Sequence, residues 1–262
     1  MNLFKLSSSV GKLVLLATIL ASGMAFLDST VVNIAIPSIQ KSLHADISAI
    51  QWIINSYSLM LSALILISGS LGDKFGTKRI FLIGMTIFTV SSLLCGLSTS
   101  VFQLVLFRAI QGIGAAMMIP GSLSIISTSF SPKEHGKVIG LWSGFSGGVA
   151  ALGPLLGGYL VQTFSWPFIF YINVPLGVLA LFITYKYVPK TTFHQGSKLD
   201  FIGTILVFLA LFGISFGLIS GPIQGFTSPV IIASLSLGLI MFVLFIISSL
   251  KVKYPLVPMH IF

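Results

Sequence analysis

The sequence predicts an all-α protein that crosses a membrane several times. Hydrophobic residues make up 55% of the 262 residues, charged residues make up only 7%, and the mean hydropathy is +1.07. A soluble domain typically carries about 25% charged residues, because its surface must face water. Long apolar runs are the second observation, since a helix needs ~20 apolar residues to cross a bilayer. We therefore expect a helical bundle in lipid, without a separate water-soluble domain.

Eight apolar segments are predicted to be membrane helices. Long segments that are nearly free of charge are the clearest secondary-structure signal that a sequence can give. The first segment resembles a signal peptide, but it continues without a convincing cleavage site and further spans follow, so we interpret it as the first membrane helix. The predicted helices are about Leu13–Pro37, Ala49–Leu71, Ile80–Ser98, Phe102–Phe130, Val138–Thr163, Pro167–Val188, Phe201–Ser220 and Val230–Leu250.

The positive charges predict the orientation of these helices. Every lysine and arginine except Lys41 and Arg108 lies in one set of alternate loops and chain ends. Short loops rich in lysine and arginine stay in the cytoplasm. We expect a multi-pass protein of the cell membrane with both termini cytoplasmic. The same bias explains the formal charge of +9, so we expect no nucleic-acid partner.

The longest predicted cytoplasmic linker, at about 189–200, divides the chain into two parts. Residues 1–188 are predicted to form a six-helix bundle, and residues 189–262 hold the linker and two further helices, ending before a ninth helix. The single cysteine, Cys95, excludes an intramolecular disulfide. The four histidines show no metal-ligand spacing. The spans contain no acid–base pair, activated nucleophile or metal cluster, so we expect neither an enzyme nor a metal site.

Two charged residues inside the predicted spans are the first candidates for function. Asp28 lies past the middle of the first helix, and Arg108 lies early in the fourth. Each such charge costs about 2.5–3.5 kcal/mol on insertion scales. Burial disfavours a charged carboxylate, whereas a nearby cation favours it, so a carboxylate between these influences can load and release a proton. The alternative for both residues is a structural hydrogen-bonding role.

Two glycine-rich segments lie close to helix ends. The connection between the second and third helices contains Gly69, Asp73, Gly76, Lys78 and Arg79. Its glycines allow a tight turn, and its aspartate is placed to pair with cations or to cap the next helix.

The second glycine-rich segment is in the fifth helix. Glycines recur every four residues at Gly140, Gly144 and Gly148, and Gly153–Gly158 follows. Such a stripe lets another helix pack closely, and Pro154 should bend the helix. Simple packing within the membrane would also explain the stripe.

Together these segments resemble the major facilitator superfamily, and within it the fourteen-helix drug:proton antiporters. The resemblance implies the N-terminal six-helix bundle of that fold plus two linker transmembrane helices. A relative of this kind would continue beyond the eighth helix, so we expect the N-terminal part of a longer transporter, with a missing C-terminal half as partner. The segments that carry the resemblance are Leu27–Pro37, Trp52 with Tyr57, Gly69–Arg79, Arg108–Ala116, Gly153–Gly158 and Phe170–Gly177.

The resemblance also implies roles for single residues. Asp28 would be the proton-coupling or substrate-cation carboxylate, with Arg108 as its partner in proton movement. The segment Gly69–Arg79 would be a cytoplasmic gating loop, and the fifth-helix glycines would form a moving seam between two bundles. The residues implied for the antiporter motif are Gly153, Pro154, Gly157 and Gly158, and those implied for a substrate cavity are Asn33, Gln111 and Trp142.

The implied function is proton-driven efflux of amphipathic drugs, cationic ones among them, across the cell membrane. The proton gradient would supply the energy, and no cofactor is implied. A metabolite or peptide exporter on the same scaffold is the first alternative. An alternative of another class is a non-transporting membrane remnant, or a partner for a separate C-terminal half.

Overall fold

The computed structural model describes residues 3–190 and 200–252, and this part of the chain is helical apart from short connections. It holds eight helical segments long and apolar enough to cross a membrane, so the predicted number of spans is confirmed. The helices are α1 (Ser9–Leu43), α2 (Ile47–Phe75), α3 (Thr77–Gly96), α4 (Val101–Ser129), α5 (His135–Ala151), α6 (Gly153–Thr163), α7 (Phe168–Tyr171), α8 (Asn173–Tyr187), α9 (Phe201–Gln224) and α10 (Pro229–Lys251).

Several predicted helix ends differ from the structure. Helix α1 continues beyond Pro37 and ends at Leu43. The C-cap residue His44 has a left-handed backbone (φ 49°), and its N–H bonds to the Gln40 carbonyl. Membrane helices tolerate an internal proline better than soluble helices do. Helices α2 and α3 are longer than predicted and are separated by Gly76 alone, at φ 93°. Only glycine adopts such a conformation readily, so one residue makes the whole turn.

The fifth and sixth spans are each divided into two helices. In the fifth, α5 stops at Ala151 and Pro154 lies in the first turn of α6. Proline suits a first turn because its missing N–H has no partner there in any case. The fifth span is therefore interrupted just before Pro154, the residue from which a bend was predicted. The sixth span consists of α7 and α8, which are separated at Ile172.

The first six spans enclose two apolar clusters. One contains Met24, Phe81 and Phe88, and the other contains Ile39, Ile53 and Phe170. Helix α1 passes through both, because Ala25 belongs to the first cluster and Val31 to the second. Between these two clusters on α1, Leu27 and Asp28 are buried, whereas Ser29 is exposed.

Helices α9 and α10 pack on each other, and α9 packs on α2. The Ser62 hydroxyl on α2 donates to the Ser215 hydroxyl on α9 at 3.0 Å. The rings of Trp52 and Phe216 lie 5.8 Å apart between centroids. This pair of helices attaches to the outside of the bundle, away from the interior between α1, α4 and α8.

Several contacts bring the lysine-rich connections together at one end of the bundle. This end, which we call the cationic end, contains the start of the chain, the α2–α3 and α4–α5 connections and the end of α8. The Phe4 N–H donates to the Ser129 carbonyl at 2.8 Å, and Thr77 and Ser124 hydroxyls lie 3.1 Å apart. Residues 191–199 and 253–262 fall outside the described part of the chain. They include Lys198, Lys253 and most of the predicted linker, so the division of the chain at residue 188 stays a prediction.

Candidate functional site

Asp28 on α1 and Arg108 on α4 form a buried ion pair. Nη1 of Arg108 donates to Oδ2 of Asp28, and the side chains are 1% and 0% exposed respectively. It is the only salt bridge within residues 3–190 and 200–252. Removing one partner of such a pair leaves an uncompensated charge and typically costs about 3–5 kcal/mol. The two candidates chosen from the sequence are thus in direct contact.

Two amide side chains complete the hydrogen bonds of the Asp28 carboxylate. Nε2 of Gln111 donates to Oδ1 at 2.9 Å, and Nδ2 of Asn173 donates to the same oxygen at 3.3 Å. Gln111 lies three residues after Arg108 on α4 and therefore points to the same side of the helix. Asn173 lies at the start of α8. Helices α1, α4 and α8 therefore meet at one carboxylate.

The guanidinium of Arg108 is enclosed on its other sides. Its Nε donates to the Ile53 carbonyl at 3.3 Å, and its Nη1 also donates to Oε1 of Gln111 at 2.9 Å. Its Cζ lies 4.3 Å from the centroid of the Tyr57 ring and 5.8 Å from that of Phe170. A cation over an aromatic face is attracted by the negative potential of the ring. The positive charge is therefore balanced without water.

Comparison with known proteins identifies the family of the chain. The family model for the Major Facilitator Superfamily matches residues 18–256. The chain belongs to the Major Facilitator Superfamily. It is a multi-pass membrane protein of that superfamily, and Asp28, Arg108, Gln111 and Asn173 all lie within the matched region.

Two curated relatives in the superfamily are named as resistance proteins. The chain is 37% identical over 257 residues to the methylenomycin A resistance protein of Bacillus subtilis. This match covers 98% of this chain and 55% of the relative. It is 37% identical over 249 residues to the tetracenomycin C resistance and export protein of Streptomyces glaucescens, covering 95% of this chain and 46% of the relative. The chain therefore spans about half the length of the curated relatives it matches.

A solved structure shows the same superfamily fold. The POT family transporter PepTSo matches with a TM-score of 0.66 at 16% identity, over 92% of this chain and 53% of that chain. At this low identity the likeness concerns the fold alone.

The segment that resembles the superfamily's gating loop is almost entirely helical. The Asp73 side chain is exposed, and no hydrogen bond or ion pair joins it to another residue within the two described ranges. Contrary to expectation, it does not cap α3, which has no side-chain cap. Lys78 instead donates from Nζ to the carbonyls of Tyr185 at 2.8 Å and Val188 at 2.6 Å. Gly69 faces open space, and Arg79 is exposed.

The segment that resembles the antiporter motif packs on α1 through only some of its glycines. A Cβ on Gly153 would collide with the Thr30 hydroxyl, and a Cβ on Gly157 would lie 2.7 Å from Cγ2 of Val31. Gly158 faces open space, as do the other glycines of the predicted stripe, Gly140, Gly144 and Gly148. No helix within the described residues covers the stripe, and α5 packs on α1 through its opposite side.

The three cavity candidates occupy different environments. Asn33 is exposed on α1, where its amide donates to the Ser29 carbonyl at 3.2 Å. Gln111 belongs to the ion-pair site. Trp142 is 8% exposed, and its Nε1 donates to the Ser22 hydroxyl at 3.2 Å inside the first apolar cluster. Only Asn33 faces outward from the bundle.

The sequence did not single out Asn173 or Tyr57 as site residues. Both lie in segments that resemble the family, but a lone polar side chain in an apolar run shows no partner. Asn173 also contacts the Ser92 hydroxyl at 3.1 Å, and that hydroxyl donates to the Phe170 carbonyl at 2.9 Å. Both side chains bond to groups on α1, and the sequence alone does not show which helices lie next to α1.

Proposed function

We propose that this chain is the N-terminal part of a proton-coupled exporter of amphipathic small molecules, cationic drugs among them. The observation that carries the proposal is the fully buried Asp28 carboxylate, shared by Arg108, Gln111 and Asn173. Charged groups are expensive inside a membrane and usually mark ion or proton pathways. Both relatives described above are named for drug resistance, which supports a drug-like substrate.

The ion pair offers a simple coupling reaction. An ionised carboxylate only accepts hydrogen bonds, whereas a protonated one also donates. Protonation of Asp28 would cancel its charge and leave Arg108 with the neutral acceptors Gln111 and Ile53. That change weakens the contact between α1 and α4. An inward proton could in this way offset outward movement of a cationic substrate that competes for the same carboxylate, and no cofactor is needed.

Alternating access requires two bundles that move around a midplane site. In the proposed exporter, the open glycines of α5 and α6 form the moving seam against a second bundle from the remaining length of the transporter. The lysine-rich cationic end supports a location of both termini in the cytoplasm, because positive residues favour that side. The membrane concerned is the cell membrane.

Inverted membrane vesicles test the coupling. Vesicles from cells that express the longest reading frame containing this chain are energised to form a proton gradient, and ethidium uptake is followed by fluorescence. We expect uptake that a protonophore abolishes and that Asp28→Asn abolishes as well, when wild type and variant are compared at equal amounts of folded protein in the membrane.

Asp46→Asn is the matched control. Asp46 is exposed and caps α2 by accepting from the Ala49 N–H at 2.7 Å, and asparagine caps a helix about as well. We expect normal uptake by this variant. Gradient-driven uptake by Asp28→Asn at the wild-type rate would remove Asp28 from the mechanism. Uptake that is insensitive to the protonophore in the wild type would contradict proton coupling.

A further inference from the structure

A pocket of about 880 Å³ opens at the cationic end between α3 and α8. Among the described residues, its lining contains four cationic side chains, Lys78, Arg79, Lys186 and Lys190, and no carboxylate. The apolar side chains of Phe75, Leu82 and Ile83 also line it. The pocket therefore combines several positive charges with an apolar surface.

One of the four cations links the two helices that form the pocket, and the other three are exposed. Lys78 is tied to the last carbonyls of α8, as described above, and its Nζ lies 5.9 Å from the centroid of the Tyr185 ring. Arg79, Lys186 and Lys190 are exposed. These three side chains can reach a ligand while Lys78 joins the two helices that form the pocket.

Exposed apolar side chains continue from the pocket along both helices. On α3, Ile83 is 40% exposed and Val90 is 51% exposed, and on α8 Phe182 is 58% exposed and Val178 is 57% exposed. Residues seven apart or four apart lie on one face of a helix. Since α3 and α8 pack on each other, the outer surface of this pair is apolar beyond the cationic pocket.

We infer that this pocket binds an anionic phospholipid. The headgroup phosphate pairs with Arg79, Lys186 and Lys190, and the acyl chains lie along Ile83 and Phe182. Basic pockets between transmembrane helices on the cytoplasmic side bind such headgroups, and arginine matches phosphate geometry well. A soluble anion would make no use of the apolar surface. The inference shares the proposed cytoplasmic location of the cationic end but does not depend on transport.

Native mass spectrometry of the purified full chain tests the inference. The protein is titrated in detergent with phosphatidylglycerol and, separately, with phosphatidylcholine of the same acyl chains. We expect preferential retention of phosphatidylglycerol. The variant Arg79→Gln/Lys186→Gln/Lys190→Gln keeps Lys78, and we expect it to bind phosphatidylglycerol at least about tenfold more weakly, since each cation near an anionic surface contributes several-fold.

A matched triple variant separates a specific site from general attraction. Lys12→Gln/Lys133→Gln/Lys137→Gln removes the same charge from exposed positions at the same end of the bundle. We expect it to retain wild-type affinity. Equal losses in the two triple variants, or equal retention of the two lipids by the wild type, would overturn the site.

Two further arms identify the source of the phosphate. Inorganic phosphate in millimolar excess should leave phosphatidylglycerol bound, whereas displacement would assign the pocket to a soluble anion and overturn the lipid. Phe182→Ala should weaken phosphatidylglycerol binding several-fold, and unchanged binding would remove the acyl-chain contact. These measurements do not use a transport assay, so their results can be interpreted even if the exporter proposal fails.

Discussion

Asn173 on α8 lies within hydrogen-bonding distance of Asp28 on α1, although 145 residues separate them along the chain. The same Nδ2 group also donates to the Ser92 hydroxyl at 3.1 Å. One amide therefore joins the sixth membrane span to the ion pair and to α3. We regard Asn173 as a positioning residue for the carboxylate.

Asn173→Leu should destabilise the bundle. The change removes both hydrogen bonds and leaves a buried carboxylate oxygen with one donor fewer, which costs about 1–3 kcal/mol. The free energy of unfolding can be measured by titration with sodium dodecyl sulfate, followed by tryptophan fluorescence. Asn33→Leu is the control, because Asn33 is exposed and bonds only to its own helix; we expect a change within ~0.5 kcal/mol. Equal effects at the two positions would show that the contact with Asp28 adds nothing.

The ion pair should show strong coupling in a double-mutant cycle. Asp28→Asn leaves a buried guanidinium without its counter-charge, and we expect a loss of about 3–5 kcal/mol. The double variant Asp28→Asn/Arg108→Gln removes both charges and should be more stable than the sum of the single losses predicts, by about 0.5–3 kcal/mol. The same unfolding titration measures all four proteins. Additive losses would mean that the two charges do not stabilise each other.

The two adjacent glycines of α6 should respond in opposite directions to alanine. Gly157→Ala places a methyl group 2.7 Å from Cγ2 of Val31 and 3.3 Å from its carbonyl oxygen, and overpacking of this kind costs about 1–3 kcal/mol. Gly158→Ala meets nothing within 4 Å and should gain up to about 1 kcal/mol from helix propensity. Thermal unfolding in detergent measures both. A more stable Gly157→Ala would contradict the close packing of α6 on α1.

Cysteine labelling should report the orientation of the bundle. Lys41 and Asp73 are exposed in the last turns of α1 and α2. Because these consecutive spans run in opposite directions, the two residues lie at opposite ends of the bundle, whereas the native Cys95 is 0% exposed. In intact cells, a membrane-impermeant maleimide should label Lys41→Cys and leave Asp73→Cys unreacted until the membrane is opened. The wild type should react only after denaturation. Labelling of Asp73→Cys from outside would invert the proposed topology.

The sequence predicted the span number and most helix ends because ~20-residue apolar runs have little choice of structure in a bilayer. It was less accurate where backbone detail decides the outcome. The segment Gly69–Arg79 contains enough turn-forming residues to suggest a loop. Extending the hydrogen-bonded helices to Phe75 and from Thr77 satisfies more backbone groups, so Gly76 alone remains outside.

The sequence singled out the two charged residues that the structure brings into contact, but it did not single out their ordinary polar partners. Asp28 and Arg108 stand out because charge is rare in the spans. Asn173 and Ser92 are common polar residues whose importance depends on which helices are neighbours, and that is a property of the fold. From its local sequence, Asp73 was expected to pair with cations or to cap the next helix, but it lies inside α2, and α3 has no side-chain cap.

The carboxylate of Asp28 receives donors from α4 and α8, and Arg108 on α4 reaches a carbonyl of α2. Apolar helix faces in lipid gain little from choosing one axial alignment over another, because the lipid tails are as oily as the faces themselves. A shift by one residue would move a helix by about 1.5 Å and break these bonds. The hydrogen bonds of the charged centre therefore fix the axial alignment of four helices. Apolar packing alone would leave several alignments similar in energy.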